Sequence, residues 1–152
     1  MTLVVNDLDE LEARVGADLG CSQWIQVTQE RVNAFADATE DHQWIHVDVE
    51  AARTGPFGGT IAHGYLTLSL LTPLFSELLS VQGIRMGINY GLNRVRFPAP
   101  VPVGSRIRLA GRLESVEEVP GNAVQVVVDL TVEIDGGKKP ACVAQALFRY
   151  YA

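Results

Sequence analysis

The amino-acid sequence predicts an α+β fold, and two observations carry this prediction. The segment "YLTLSLLTPLFSELLS", residues 65–80, is apolar around most of its circumference when drawn as a helix, which is typical of a buried helix. From Gly87 onward the chain alternates apolar and polar residues in four segments, which indicates β-strands. A buried helix followed by antiparallel strands is an α+β arrangement. A sheet wrapped around the helix would explain why the helix is apolar on nearly all sides.

The composition indicates one globular domain. The chain has 152 residues, 47% hydrophobic and 20% charged, without a repeat or a linker, so we expect a single domain over residues 1–152. The net charge of −6 argues against nucleic acid or an anionic membrane surface as the main partner. The apolar run at 65–80 is shorter than the ~20 residues that a membrane span needs. We therefore expect no membrane association.

The cysteines and the N-terminus predict a cytoplasmic location. Cys21 and Cys142 lie far apart in the sequence and show no metal-ligand or redox spacing, so free thiols are expected. The opening residues "MTLVVNDLDELEARVG" are acidic and lack the basic start and apolar run of a signal peptide.

The elements before the buried helix follow from local patterns. "VNDLDELEARVG" predicts an amphipathic helix capped by Asn6 or Asp7 and stopped by Gly16, with an apolar side formed by Leu8, Leu11 and Val15. "CSQWIQVTQ" alternates like a short strand. "TQERVNAFADAT" predicts a helix that begins at a Thr28 cap. The next stretch, "ADATEDHQWIHVD", is expected to run from the end of that helix into a loop.

The remaining elements complete the prediction. "VDVEAAR" reads as a short helix and "TGPFGGTIAHG" as irregular chain, and the apolar helix follows. The four strand segments are "GINYGLNRVRF", "SRIRLAGRLESVEEV", "AVQVVVDLTVEIDG" and "PACVAQALFRYYA". The turns between them are signalled by "PAPVPVG", "PGN" and "DGGKK".

Two short motifs carry the chemistry. Asp41 and His46 are five residues apart, so they diverge on a helix but can converge on a loop that doubles back. A carboxylate and an imidazole that share one water form a competent acid–base pair, because imidazole titrates near neutrality. Gly64 stands at the entrance of the apolar helix, where backbone N–H groups have no intrahelical partner. A glycine there lets a ligand carbonyl approach an N–H donor closely.

The stretch "TEDHQWIHVDVEAA" resembles the hydratase-2 signature of the MaoC-like, (R)-specific enoyl-CoA hydratase family. The matching residues are Thr39, Asp41, Ile45, His46 and Ala52. "FGGTIAHGYLTLSLL" and "NYGLNRVRFPAPVPVGSRIRL" are similar to the family's segments before and after its central helix. The resemblance covers residues 20–150 approximately and comes closest to the nodulation protein N-like subgroup. It implies a hotdog fold, in which an antiparallel β-sheet wraps around a long central α-helix, and a homodimer.

The resemblance also implies an activity and its residues. Water would add to a trans-2-enoyl thioester, carried by CoA or by a carrier protein, to give the (R)-3-hydroxyacyl thioester. Asp41 and His46 would bind the water and move its protons, Thr39 would orient Asp41, and the Gly64 N–H would bond the thioester oxygen. No cofactor is implied. The expected acyl-pocket lining is Trp44, Phe57, Tyr65, Leu66 and Met86. The expected contacts for the anionic arm are Arg94, Arg96, Arg106 and Arg108, whose even spacing puts them on one face of a strand, which could be solvent.

Three residues depart from the family pattern, and they keep other functions open. Glu40, Gln43 and Trp44 stand where the signature has glycine, asparagine and proline. These changes affect substrate fit and support the alternative of a non-catalytic acyl-thioester-binding subunit. A hotdog thioesterase is a further alternative, with Glu77 as the only acidic residue of the apolar helix.

The remaining histidines have simpler interpretations. His42 is expected to be exposed or structural, and His63 to hydrogen-bond the backbone near the site. A metal site built from Asp41, His42, His46 and His63 is not expected, because the spacing matches no known ligand pattern.

Overall fold

A computed structural model describes residues 1–152, and its architecture is the α+β fold that the sequence predicts. The helices are α1 (Leu8–Glu12), α2 (Gln29–Thr39), α3 (Trp44–Val47), α4 (Val49–Arg53), α5 (Gly64–Ser69) and α6 (Leu71–Phe75). The strands are β1 (Leu3–Val5), β2 (Asp18–Cys21), β3 (Ile25–Gln26), β4 (Leu79–Val81), β5 (Met86–Arg96), β6 (Arg106–Val119), β7 (Ala123–Ile134) and β8 (Cys142–Tyr151).

One antiparallel sheet dominates the molecule. Its strands lie in the order β2–β6–β7–β8–β5, and β3 also pairs with β6. Buried residues alternate along β6, β7 and β8, so one face of the sheet is apolar and points inward. Helices α5 and α6 lie against this face, where Phe75 of α6 stacks on Phe148 of β8 with ring centroids 5.0 Å apart. The helix and the inner sheet face thus share one core of 27 buried residues.

The central helix is shorter than the predicted run of residues 65–80. It consists of α5 and α6, with an interruption at Leu70. Pro73 has no N–H to donate to the carbonyl of Ser69, four residues earlier, which weakens the helix at this point. The chain leaves the helix after Phe75, and Leu79–Val81 then forms a parallel pair with β1. No helix of the structure has the length and apolarity needed to cross a membrane.

The N-terminal helix is also shorter than predicted. The Asp7 carboxylate accepts a hydrogen bond from the Glu10 N–H and caps α1, as expected, but the helix ends at Glu12. Leu11 is buried, whereas Val15 lies beyond the helix and is 47% exposed, so the prediction of one apolar side through Val15 was wrong. The segment predicted as one short strand forms parts of β2 and β3.

The helix before the candidate site is confirmed. The Thr28 hydroxyl accepts a hydrogen bond from the Arg31 N–H at 3.2 Å, and α2 runs from there to Thr39. Glu40 follows in the left-handed region, with φ 62° and ψ 22°. The family signature has glycine at this position, which suits a positive φ. The turn keeps the positive φ in this chain, and Glu40 adopts it. The segment expected as a loop contains the short helix α3, and α4 follows as predicted.

Candidate active site

Asp41 lies just after the left-handed turn that ends α2. Its side chain is 53% exposed, so the carboxylate is open to solvent. Its backbone carbonyl accepts a hydrogen bond from Nε2 of His63 at 2.9 Å. The Thr39 hydroxyl, which was expected to orient Asp41, instead donates to the Phe35 carbonyl within α2 at 2.8 Å. That expected contact is therefore absent.

His46 lies on α3 and is buried. Its Nδ1 is 2.7 Å from the carbonyl oxygen of Ile61. Since a carbonyl can only accept a hydrogen bond, Nδ1 carries the proton, and in the neutral ring Nε2 is the unprotonated nitrogen. The Ile61 N–H donates to the Ile45 carbonyl at 3.0 Å, so Ile61 holds both the backbone of α3 and the imidazole. This arrangement leaves Nε2 of His46 ready to accept a proton.

A partly buried polar link also holds α3 from the side of α2. The Gln29 side-chain amide donates to the His46 carbonyl at 2.8 Å, and its oxygen accepts from the Thr60 hydroxyl at 2.7 Å. Sequence reasoning missed Gln29 and Thr60. A glutamine in the first turn of a helix is ordinary, and no sequence signal pairs it with a threonine 31 positions later.

Asp41, His46 and His63 converge on one small volume. One potential ligand atom of each residue lies within 4.8 Å of those of the other two. The rings of His46 and His63 stack, with centroids 3.8 Å apart and planes inclined by 23°. Because ring-nitrogen lone pairs lie in the ring plane, two stacked imidazoles present them side by side, so one ring would have to turn before both could bind one metal ion. His42 stays outside this group and pairs with Asp37 at 2.9 Å on the surface.

Gly64 is the first residue of α5 and follows His63 directly. Its N–H donates to no acceptor within the protein, so this donor is available to a ligand. A Cβ built on Gly64 would lie 3.1 Å from the ring of Phe97, which is closer than most side-chain contacts. A side chain at this position would push against the Phe97 ring, so the close approach of Phe97 favours glycine here.

The aromatic residues expected to line the acyl pocket lie at the surface of the protein. Trp44 begins α3 and is 42% exposed, with its ring against Gly55. Tyr65 is 71% exposed and meets the Phe97 ring edge-on at 6.2 Å between centroids. Phe57, in the Gly-rich segment, is 47% exposed. Leu66 is instead buried in the core. The exposed rings form a rim and do not enclose a pocket.

The structure separates Met86 from the site. Met86 begins β5, and the site lies beyond the other end of this strand, where Phe97 packs on Gly64. Eleven residues at about 3.3 Å per residue put roughly 30 Å between the two ends. Met86 therefore does not lie beside Gly64 in its own chain, where the pocket was expected.

Arg94 and Arg96 lie on the face of the sheet opposite the central helix. In the β5–β8 pairing they stand beside Gln145 and Val143, whose neighbours Ala144 and Ala146 point inward. Strand side chains alternate between faces, so both arginines point away from the central helix. The expectation that they share a solvent face is met, but this face points away from the helix that begins at Gly64.

An apolar groove that the sequence did not reveal runs between the central helix and β5. It is lined by Leu68, Ser69, Leu71, Thr72, Asn89, Gly91, Leu92, Ala146 and Phe148. The helix residues of the groove belong to the central helix, which begins at Gly64. The groove therefore starts about one helical turn beyond Gly64 and runs along the helix away from it. Only the pairing of β5 with β8 brings the two walls together.

The chain is similar to known proteins of one family. A family model described as "MaoC like domain" matches residues 10–134. The chain is 56% identical over 143 residues to 3-hydroxyacyl-thioester dehydratase Z of Mycobacterium tuberculosis (strain ATCC 25618 / H37Rv), covering 94% of this chain and 95% of that protein. It is 47% identical over 139 residues to nodulation protein N of Rhizobium leguminosarum bv. viciae, covering 90% and 86%. The solved structure of an (R)-hydratase from A. caviae involved in PHA biosynthesis has a TM-score of 0.69 at 25% identity, covering 88% and 94%.

Proposed function

The chain belongs to the MaoC-like domain family, and on that premise we propose that it is an (R)-specific enoyl-thioester hydratase. It adds water to a trans-2-enoyl thioester to give the (R)-3-hydroxyacyl thioester, or removes water in the reverse direction. The reaction is that of a hydro-lyase. The observation that carries the proposal is the convergence of an exposed carboxylate, Asp41, with an imidazole, His46, whose Nε2 is free to accept a proton.

Asp41 and His46 together bind the attacking water. The carboxylate and the unprotonated Nε2 each accept a hydrogen bond from it, so its oxygen is directed at the β-carbon of the substrate. As the C–O bond forms, one water proton passes to the pair and the double-bond electrons move toward the thioester carbonyl. A proton then returns from the pair to the α-carbon on the same face. The two groups share the proton that is moved, so neither step belongs to one of them alone.

The Gly64 N–H stabilises the charge that develops on the thioester oxygen. This N–H donates to no acceptor within the protein. Gly64 directly follows His63, whose ring stacks on that of His46. A backbone donor aimed at a developing oxyanion is worth about 2.7–4 kcal/mol in the transition state. Addition of water needs no organic cofactor, because the thioester itself activates the double bond.

The groove between the central helix and β5 is the proposed acyl-chain site. It continues along the helix from Gly64, and leucine and phenylalanine side chains supply much of its lining. The rim residues Trp44, Tyr65 and Phe57 would then contact the thioester and its pantetheine arm at the entrance.

The charged part of the substrate is proposed to approach the end of the sheet nearest the site. Six of the 12 basic residues lie at this end, in the last residues of β5, the first residues of β6 and the β7–β8 connection: Arg94, Arg96, Arg106, Arg108, Lys138 and Lys139. Arg106 and Arg108 are paired with Asp135 and Glu133. The unpaired cations would attract the phosphates of CoA or an acidic carrier protein.

The proposed assembly is a homodimer formed through β5. This strand is an edge of the sheet, and all of its residues except Val95 are exposed. Met86, Ile88, Tyr90 and Leu92 are 40–54% exposed. A long apolar edge without proline or lysine invites pairing with another strand. Two copies of β5 paired antiparallel about Gly91 would bring Met86 of one copy opposite Arg96 of the other, so each copy would contribute to the other's site.

The dimer proposal is tested by light scattering of the purified protein. We expect the mass of two chains for the wild type and of one chain for Leu92→Asp. The control is Val15→Asp, which adds the same charge at an equally exposed apolar position away from β5. A monomeric wild type, or a Leu92→Asp variant that remains dimeric, would contradict the proposed interface.

Enoyl-CoA hydration tests the activity directly. The purified protein is mixed with trans-2-enoyl-CoA of several chain lengths, and the absorbance of the conjugated double bond is followed. We expect a loss of absorbance and a product of (R) configuration on chiral analysis. No turnover at any chain length, or an (S) product, would refute the proposed function. Substrates carried on CoA and on a carrier protein are compared in the same assay.

The two alternative functions find no support in the site. Glu77, the acidic group considered for a thioesterase, lies beyond the end of α6 and accepts a hydrogen bond from the Gln23 N–H at 2.9 Å. The Glu77 carboxylate is therefore engaged in a structural hydrogen bond and is not directed at a substrate. A binding subunit without turnover would not need an oriented His46 beside a carboxylate. The two free cysteines fit the cytoplasmic location proposed for the enzyme.

A further inference from the structure

His63 is a buried titratable residue that the proposed mechanism does not use. It is 3% exposed and contacts both Asp41 and His46. Its Nε2 is 2.9 Å from the Asp41 carbonyl oxygen, its ring stacks on His46, and its backbone continues into Gly64. Phe35 of α2 packs on the ring from another direction, with centroids 4.9 Å apart. These contacts hold the imidazole in one orientation.

The hydrogen bond from His63 is the only one that holds Asp41. No backbone or side-chain hydrogen bond other than this one involves Asp41. The residue lies in irregular chain between α2 and α3, and its carboxylate is about half exposed, with one oxygen 4.0 Å from the same His63 Nε2. The position of the catalytic carboxylate relative to the Gly64 N–H therefore depends on one imidazole N–H.

The other ring nitrogen indicates that an imidazole is present for more than packing. Because Nε2–H donates to the Asp41 carbonyl, Nδ1 is the unprotonated nitrogen, and this buried atom has no hydrogen-bond partner. A buried polar atom without a partner destabilises the folded state. Phenylalanine would fill the same space and keep the stacking without this penalty. The imidazole thus provides something that a benzene ring does not, namely the Nε2–H donor.

We propose that His63 is a positioning residue of the hydratase, which joins the Asp41 loop to the Gly64 donor and sets the distance between the Asp41 carboxylate and the oxyanion site. This inference rests on the proposed hydratase function. Loss of the donor leaves Asp41 free to move within its exposed loop. A displacement of the order of 1 Å at a catalytic group can lower a rate by about a hundredfold.

The test compares His63→Phe with His63→Gln. His63→Phe keeps a stacked ring but removes the donor, whereas the glutamine amide can reach the position of Nε2 and donate. We expect kcat on enoyl-CoA to fall about tenfold to hundredfold in His63→Phe with little change in KM, and to recover in part in His63→Gln. We expect the melting temperature of His63→Phe to stay equal or rise, because the unpartnered Nδ1 is gone. The control is His42→Gln, an exposed histidine of the same loop, which should retain wild-type kcat.

A purely structural role would give a different result. If His63 only supports the fold, kcat should follow the melting temperature across the variants, and a stable His63→Phe would be fully active, which would overturn the proposal. The backbone amide of His42 shares a peptide group with the Asp41 carbonyl, so its ¹⁵N NMR shift reports the hydrogen bond without any assay of turnover. A change of this shift in His63→Phe but not in His63→Gln supports the proposal even if the wild type fails to hydrate enoyl-CoA, and an unchanged shift in both refutes it.

Discussion

Replacement of Asp41 by asparagine separates catalysis from stability. The side chain is 53% exposed, and the one hydrogen bond that holds the residue is accepted by its backbone carbonyl. The Asp41→Asn variant would therefore keep the local structure, and we expect the free energy of unfolding to change by no more than about 0.5 kcal/mol. For a domain of this size the melting temperature would shift by no more than about 2 °C.

The expected loss of activity is much larger. The amide cannot accept a proton from the attacking water, and removal of one acid–base group lowers a rate by about 100- to 10,000-fold. This corresponds to about 2.7–5.5 kcal/mol in the activation free energy. The assay is hydration of a short enoyl-CoA, measured as kcat and KM, together with thermal unfolding of the same samples.

Asp37→Asn is the matched control for this prediction. Asp37 is also an exposed carboxylate close to the site, but it pairs with His42 at the surface. We expect it to retain wild-type kcat. If Asp41→Asn kept kcat within about threefold of the wild type, or if both variants lost activity equally, the assignment of Asp41 as a catalytic group would be refuted.

Three further predictions concern the donor, the groove and the core. Gly64→Ala should lower kcat, because its Cβ would lie 3.1 Å from the Phe97 ring and displace the N–H donor. Gly59→Ala is the control, because a Cβ there meets open space, and it should keep wild-type kcat. Equal effects of the two substitutions would contradict the donor role of Gly64. Thr72→Phe should narrow the groove and lower kcat/KM for long enoyl chains about tenfold more than for crotonyl-CoA, and an unchanged preference would exclude the groove as the acyl site. Burial raises the pKa of the Cys142 thiol from 9.0 to about 11, so the unfolded chain ionises first. The contribution of this thiol to the free energy of unfolding should thus be fully present below pH 9 and fall above it, by about 2 kcal/mol near pH 11. In alkaline unfolding titrations, the free energy of unfolding of Cys142→Ala should decrease less than that of the wild type.

Local chemistry determined much of the fold from the sequence alone. Alternation along the last four strands is a property of each segment, and these strands form where they were expected. The caps at Asp7 and Thr28 act within one turn, and both are made as predicted. The motif around Asp41 and His46 could be identified because both residues lie within six positions of each other.

Long-range packing decided what the sequence left open. The length of the central helix depended on Pro73 and on the pairing of Leu79–Val81 with β1, which no helical pattern encodes. Met86 was expected to line the pocket, but the 11-residue strand β5 places it at the far end of the sheet from Gly64. The orientation of His46 is set by the Ile61 carbonyl, 15 positions away. Every residue has a backbone carbonyl, so the sequence does not indicate which one accepts this hydrogen bond. The sequence by itself therefore determined which groups are candidates for the chemistry, and only the tertiary structure decided which of their atoms lack a hydrogen-bond partner, because hydrogen bonds between distant segments occupy the others.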